Sequence, residues 1–104
     1  MNELRLTPMA ARDLAEIRDY ISTKLGNPIA AEGTVRRILN ALRILRDHGE
    51  AGPGLEAKTG LKTDLRMLAC GNYIAIYRVE GNRVSVARIL NARQDYMRIL
   101  LQET

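Results

Sequence analysis

Two arginines and two tyrosines in the last third of the chain are spaced to share one surface. Arg66, Tyr73, Tyr77 and Arg88 fall within or at the ends of three short apolar runs, Leu65 to Cys70, Tyr73 to Val79 and Val84 to Leu90, which are joined by Gly71-Asn72 and Gly81-Asn82. A two-residue Gly-Asn loop between alternating runs is a strong hairpin signal, because glycine supplies the positive φ that a type II′ turn needs at its first position. The segment is therefore expected to be a three-stranded antiparallel meander. Counting outward from the turns sets Cys70 opposite Tyr73, Leu68 opposite Ala75 and Arg66 opposite Tyr77, then Val79 opposite Val84, Tyr77 opposite Val86 and Ala75 opposite Arg88. On that register Arg66, Leu68, Tyr73, Ala75, Tyr77, Val79, Val86, Arg88 and Leu90 share a face. Leu65, Met67, Ala69, Ile74, Ile76, Ala87 and Ile89 make the other, which reads as the core. Guanidiniums and phenols on an otherwise apolar face suit an anionic partner that also covers apolar surface.

Other reactive side chains are sparse. Cys70 is the only cysteine, so an internal disulfide and a cysteine-rich zinc site are excluded, and it reads as a small residue at the core edge. His48 is also alone, in Asp47-His48-Gly49 where a helix is expected to end, and it reads as a cation favoured by the helix dipole. No metal or cofactor site is expected.

Net charge points the same way as the arginines. The chain carries +4 overall, yet residues 1 to 57 hold eight basic and eight acidic residues, whereas residues 58 to 104 hold eight and four. The excess lies in the sheet half and implies an anionic partner. Thirteen of the sixteen basic residues are Arg, which suits bidentate binding to phosphate or carboxylate. Lys58 and Lys62 add candidate phosphate contacts beside the sheet.

These residues need a scaffold, and 104 residues provide one domain, 1–104, with 46% apolar and 27% charged residues, a composition ordinary for a soluble globular protein. No run approaches the length of a membrane span and no export signal is evident, so a cytoplasmic location without membrane contact is expected. Asn2 to Thr7 alternates as a short strand. Thr7-Pro8 then gives an N-cap hydroxyl followed by proline at the first helical position. Ala10, Leu14, Ile17, Ile21 and Leu25 form the apolar stripe, with Arg12, Asp13, Glu16, Arg18 and Asp19 off it. Gly26-Asn27-Pro28 ends this helix and starts a second, whose stripe is Ala31, Val35, Ile38, Leu42 and Leu45. Gly49 to Thr63 is glycine-rich and reads as a loop of about a dozen residues. Gln94 to Leu101 has helical spacing at Met97, Leu100 and Leu101. The order is β-α-α-β-β-β-α, an α+β fold with an antiparallel sheet on a helical hairpin.

Leu65-Arg66, Gly71-Asn72-Tyr73, Ile76-Tyr77-Arg78-Val79 and the stretch Arg88-Ile89-Leu90-Asn91-Ala92-Arg93-Gln94-Asp95 resemble the RelE/ParE superfamily of type II toxin–antitoxin toxins. Its members share this element order and a typical "LRR…GNY…YRV…RVLHGARD" tail. The likeness spans the chain in topology and about residues 65 to 96 in motif. It implies a cognate antitoxin whose acidic or amphipathic C-terminal segment covers the basic surface, giving a toxin–antitoxin hetero-oligomer. It also implies one of two activities. RelE-like members cut mRNA on the ribosome without a metal: the ribose 2′-OH attacks the adjoining phosphate, which calls for a base, an acid and cations. Arg66, Arg88 and Arg93 would be the cations here, and Tyr77 or Tyr96 the only substitutes for a late His-Tyr that this chain lacks. ParE-like members instead inhibit DNA gyrase and need only a complementary surface. The Gly-Asn-Tyr turn and the missing acid/base pair fit the ParE branch better. On that branch the target- and antitoxin-binding candidates are Arg66, Tyr77, Arg88, Arg93 and Tyr96, with the segment Gln94 to Leu101. A plain basic nucleic-acid-binding module is the reading from charge alone, without a recognition motif to support it.

Overall fold

Thr7 and Asn27 each start a helix in the same way. The Thr7 hydroxyl accepts the Ala10 N–H at 3.2 Å and the Asn27 amide oxygen accepts the Ala30 N–H at 3.0 Å, with proline next in both cases. The structure, a computed structural model, describes residues 1 to 103; the side chains of Met97, Leu101 and Glu103 lie outside the description, and with them part of the stripe expected at the C-terminus. Helix α1 spans Pro8–Asp19 and runs on through a π-helical turn at Tyr20–Lys24, and α2 spans Pro28–Leu42 and tightens into a 3-10 turn at Arg43–Arg46. The sheet has β1 (Glu3–Leu6), β2 (Arg66–Cys70), β3 (Tyr73–Glu80) and β4 (Arg83–Asn91) in the order β1-β4-β3-β2. The meander β2-β3-β4 is antiparallel, and β1 joins its β4 edge in parallel, so the sheet is mixed. Gly71 and Gly81 have φ of 63° and 61°, and among the described residues no non-glycine has positive φ, as expected where only the first loop position must be left-handed.

One addition changes the expected outline. The glycine-rich stretch is not a continuous loop: Leu55–Thr59 forms a short helix, α3, whose Leu55 is buried. Its entry is tied to β2, with the Leu55 N–H donating to Leu65 O at 2.8 Å and the Met67 N–H to Pro53 O at 3.0 Å. The last helix, α4, spans Tyr96–Glu103.

Both faces of the sheet are covered, and the helical hairpin sits on the face opposite to the one expected. Ala10, Ile38, Leu42 and Leu45 pack against Cys70, Ala75, Tyr77, Val84, Val86 and Ile89. The face carrying Met67, Ile74 and Ile76 is instead closed by Leu55 of α3 and by Tyr96 and Leu100 of α4. Residue alternation places side chains on two faces but does not say which one meets the helices when both are apolar. Fully burying an Ile or Leu stabilises by roughly 1.5–3 kcal/mol, so Ile38, Leu42 and Leu45 outweigh an exposed pair such as Arg83–Glu3 at 3.5 Å, worth about 0–1 kcal/mol.

The register holds from Cys70–Tyr73 to Arg66–Tyr77 and from Val79–Val84 to Tyr77–Val86, then shifts. Ile76 pairs with Arg88 and Ala75 with Ile89, which leaves Ala87 as an extra residue in β4, a β-bulge. The expected pairing of Ala75 with Arg88 and the grouping of Arg88 with Tyr77 are therefore corrected. Two stripe assignments change as well. Asp13, expected off the stripe, is buried, and Leu25, expected on it, is 60% exposed past the π turn. No helix among the described residues is long and apolar enough to cross a membrane.

Candidate interaction surface

Each cation singled out in the sequence has a definite place, and two of them, Arg66 and Arg88, are engaged within the fold. Arg66 lies at the start of β2. Its Nε donates to Gly52 O at 2.8 Å and its Nη2 to Glu50 O at 3.2 Å. Tyr77 is fully buried; its hydroxyl donates to Gly49 O at 2.8 Å and accepts the Gly52 N–H at 2.9 Å. Together they fasten the 49–54 loop to the sheet, so the phenol is enclosed and two guanidinium donors are spent on backbone.

Arg88 sits on the edge of β4 that β1 leaves open beyond Val86. Its Nε reaches Asp13 Oδ2 at 2.7 Å and its Nη2 reaches Asp13 Oδ1 at 2.9 Å, with both side chains nearly enclosed. The hydrogen bond to Asp13 holds the guanidinium pKa above its ordinary value, against the opposing effect of burial, with further support from the Asp13 and Glu16 charges. Asp13 was not a candidate from the sequence. The signal was there: it lies three residues after Ala10 and four before Ile17, on the side of α1 that meets β4.

Arg93 is exposed in the turn after β4, a turn fixed by its neighbours. The Arg93 N–H donates to Asn91 Oδ1 at 2.8 Å, the Asn91 N–H to Gln94 Oε1 at 2.9 Å and the Ala92 N–H to Asn72 O at 2.9 Å. Among the described residues its guanidinium has no partner. Tyr96, half-buried, opens α4 and packs on the apolar cluster of Met67, Ile74 and Ile76. Asp95 caps that helix, accepting the Arg98 N–H at 3.2 Å. Lys58 lies exposed on α3 and Lys62 exposed in the following loop.

Two clefts meet at the end of the sheet near the meander turn. One, of about 480 Å³, runs between α1, the end of β4 and α4 and is lined by Glu16, Tyr20, Tyr73, Arg88, Asn91 and Ile99 among others. The second, of about 550 Å³, shares Tyr20, Tyr73 and Asn91 with it and continues past Leu25 and Arg37. Tyr20, Leu25 and Ile29 are 56%, 60% and 86% exposed, which makes an apolar rim at the hairpin bend. His48 lies elsewhere, lining a separate cleft with Val79 and Gly81. No group of three or more His, Cys, Asp or Glu side chains suited to a metal occurs among the described residues.

The family profile described as the ParE toxin of the type II toxin–antitoxin system parDE matches residues 4–96, from β1 to the start of α4. The chain belongs to the ParE toxin family. Its likeness to a solved structure agrees with that membership: a chain of the chromosomal ParDE system from P. aeruginosa is 27% identical over 88% of this chain and 96% of that one, with a TM-score of 0.73. A chain of the RelBE2 toxin–antitoxin complex from Mycobacterium tuberculosis is 19% identical over 86% and 96% respectively, at a TM-score of 0.46. None of the curated proteins is a significant match. For a ParE-family toxin, the arrangement offers a turn fixed by Asn91 and Gln94, a helix packed on one sheet face, an apolar rim and the exposed Arg93.

Proposed function

We propose that this ParE-family toxin acts by binding DNA gyrase and trapping it on DNA, and that a cognate antitoxin neutralises it. The observation that supports this reading is the internal use of the groups that RNA cleavage would require. Attack by a 2′-OH needs a base, an acid and cations free to meet the phosphate. Tyr77 is enclosed, Arg66 serves the 49–54 loop and Arg88 is clamped by Asp13. What remains for a partner is surface: Arg93, Arg98 and Tyr96 on the turn and α4, beside the clefts at Tyr20 and Tyr73.

The antitoxin expected over Arg66 and Arg88 meets a different geometry, since the hairpin already covers that face. A carboxylate-bearing amphipathic segment fits better along the second cleft, where Tyr20 and Leu25 supply apolar contact and Arg37 a cation, with the exposed Ile29 and Arg93 outside its lining as further contacts. The test is direct. Purified toxin should block gyrase supercoiling or accumulate cleaved DNA, and its expression should induce the DNA-damage response. Rapid cleavage of ribosome-bound mRNA, lost in Tyr96→Phe or Arg93→Ala, would favour the RelE-like activity instead.

A further inference from the structure

We propose that Asp13 is the positioning residue of the target-facing segment: from α1, its carboxylate fixes where β4 ends and so where the Asn91–Arg93 turn and α4 stand. The functional half of this inference rests on the gyrase reading above; the structural half does not.

Strand β1 pairs with β4 only from Arg83 to Val86. Beyond that point the outer edge of β4 has no strand beside it, and the Ala87 bulge interrupts its ladder with β3 on the inner side. Two residues of the α1 region supply what a strand would have supplied. The Thr7 hydroxyl donates to Ala87 O at 3.0 Å, and Asp13 Oδ2 accepts the Ile89 N–H at 2.9 Å. Ala10 lies between them in sequence and is fully buried. With only a methyl group there, the helix approaches β4 closely enough for a short aspartate to reach backbone.

The Asp13 carboxylate thus holds three donors, the Ile89 amide and two nitrogens of Arg88. Charge-assisted bonds to a nearly enclosed carboxylate are the strongest kind available to this edge. From Ile89 the restraint passes along Leu90 to Asn91, whose side chain sets the Arg93 turn, and then to Asp95, which caps α4. Apart from the Thr7 hydroxyl at Ala87 O, Asp13 is the one side chain shown bonding the backbone of this stretch among the described residues, and it alone does so with a charge. The longer acid, glutamate, at position 13 would place the bulged strand end, and the arginine that follows it, differently.

The experiment compares wild type, Asp13→Asn and Asp13→Ala with Asp64→Asn, which breaks a surface pair at the far end of the sheet, as the control. Amide hydrogen exchange is measured across the folded toxin, and gyrase inhibition is titrated with the same samples. Both Asp13 variants should raise exchange about tenfold or more from Ile89 into α4, beyond any change in β3, as expected when one local unit opens. They should also raise the concentration needed to inhibit gyrase by about tenfold, whereas Asp64→Asn moves neither. Exchange that rises uniformly or stays unchanged overturns the positioning role, because a merely stabilising residue acts on the whole fold. Localised exchange with undiminished inhibition overturns its functional half. Failure of the wild-type toxin to inhibit gyrase at all overturns the gyrase reading and leaves the exchange comparison to judge Asp13.

Discussion

The Gly52 N–H points at the Tyr77 hydroxyl from 2.9 Å inside the core, which makes a phenol on β3 the acceptor that holds the 49–54 loop. A Cβ on Gly52 would lie 2.2 Å from Met67 O and 2.9 Å from the Tyr77 hydroxyl, so no other residue fits without moving backbone. Tyr77→Phe leaves the Gly52 N–H buried without its partner and should cost about 1–3 kcal/mol. Gly52→Ala should cost more, because the clash is with the backbone of β2. Urea unfolding of the two variants measures both values. Equal stability of Tyr77→Phe and wild type would show that the hydroxyl does not anchor the loop.

Asp64 and Arg78 form a bidentate pair at 2.8 and 3.0 Å on the surface. The hydrogen bond from Arg78 holds the Asp64 carboxyl below the usual carboxylate range, despite a small opposing effect of burial. A folded-state pKa below the unfolded one means that the stabilisation is present above the ordinary carboxylate pKa of about 3.9 and is lost as pH falls through the folded value. Both side chains are well exposed, 40% and 63%, so solvent screening limits the contribution to about 1 kcal/mol or less. Asp64→Asn should therefore be slightly less stable than wild type at neutral pH, with the difference closing in strong acid. A difference that persists unchanged into strong acid would point to packing rather than charge.

Cys70 is a free thiol, 5% exposed at the end of β2. Burial pushes its pKa up, partly offset by a backbone hydrogen bond involving Ala75. A raised folded pKa contributes stability that is complete below the unfolded thiol value of about 8.5 and is lost as pH rises through the folded one. The folded protein should react slowly with a thiol reagent near neutrality and quickly in denaturant. Stability should decline above about pH 9, and Cys70→Ala should remove that part of the decline. Fast labelling of the folded protein would contradict the burial.

Much of this fold was legible because short turns carry their own geometry. Gly71-Asn72 and Gly81-Asn82 set the meander and its register as far as Tyr77–Val86, and Thr7-Pro8 and Asn27-Pro28 set the hairpin. The bulge was not legible: Val84 to Leu90 has no glycine or proline to mark an extra residue at Ala87. The choice of face was not legible either, since Ala75 and Tyr77 on one side and Ile74 and Ile76 on the other are equally apolar. For the candidate site, Arg66 and Arg88 had the right chemistry for an anion. What a linear sequence does not reveal is a competing acceptor close in space. Gly52 O lies 14 residues from Arg66 in sequence, and Asp13 lies 75 from Arg88.

The same contrast among arginines separates surface from scaffold. Arg93 is exposed on a turn whose backbone is held by Asn91 and Gln94, so Arg93→Ala removes a cation without removing a fold contact. It should change stability by less than about 0.5 kcal/mol while weakening both gyrase inhibition and antitoxin affinity, more strongly at low salt than at high salt because exposed charges are screened. Arg66→Ala should behave the opposite way. It strips the Gly52 and Glu50 carbonyls of their charged donor, at a cost of about 1–3 kcal/mol, and any loss of inhibition should track that loss of stability. Thermal unfolding, salt-dependent antitoxin binding and gyrase titration on the two variants give the comparison. If Arg93→Ala binds antitoxin and inhibits gyrase as wild type does, the turn after β4 is not the contact surface.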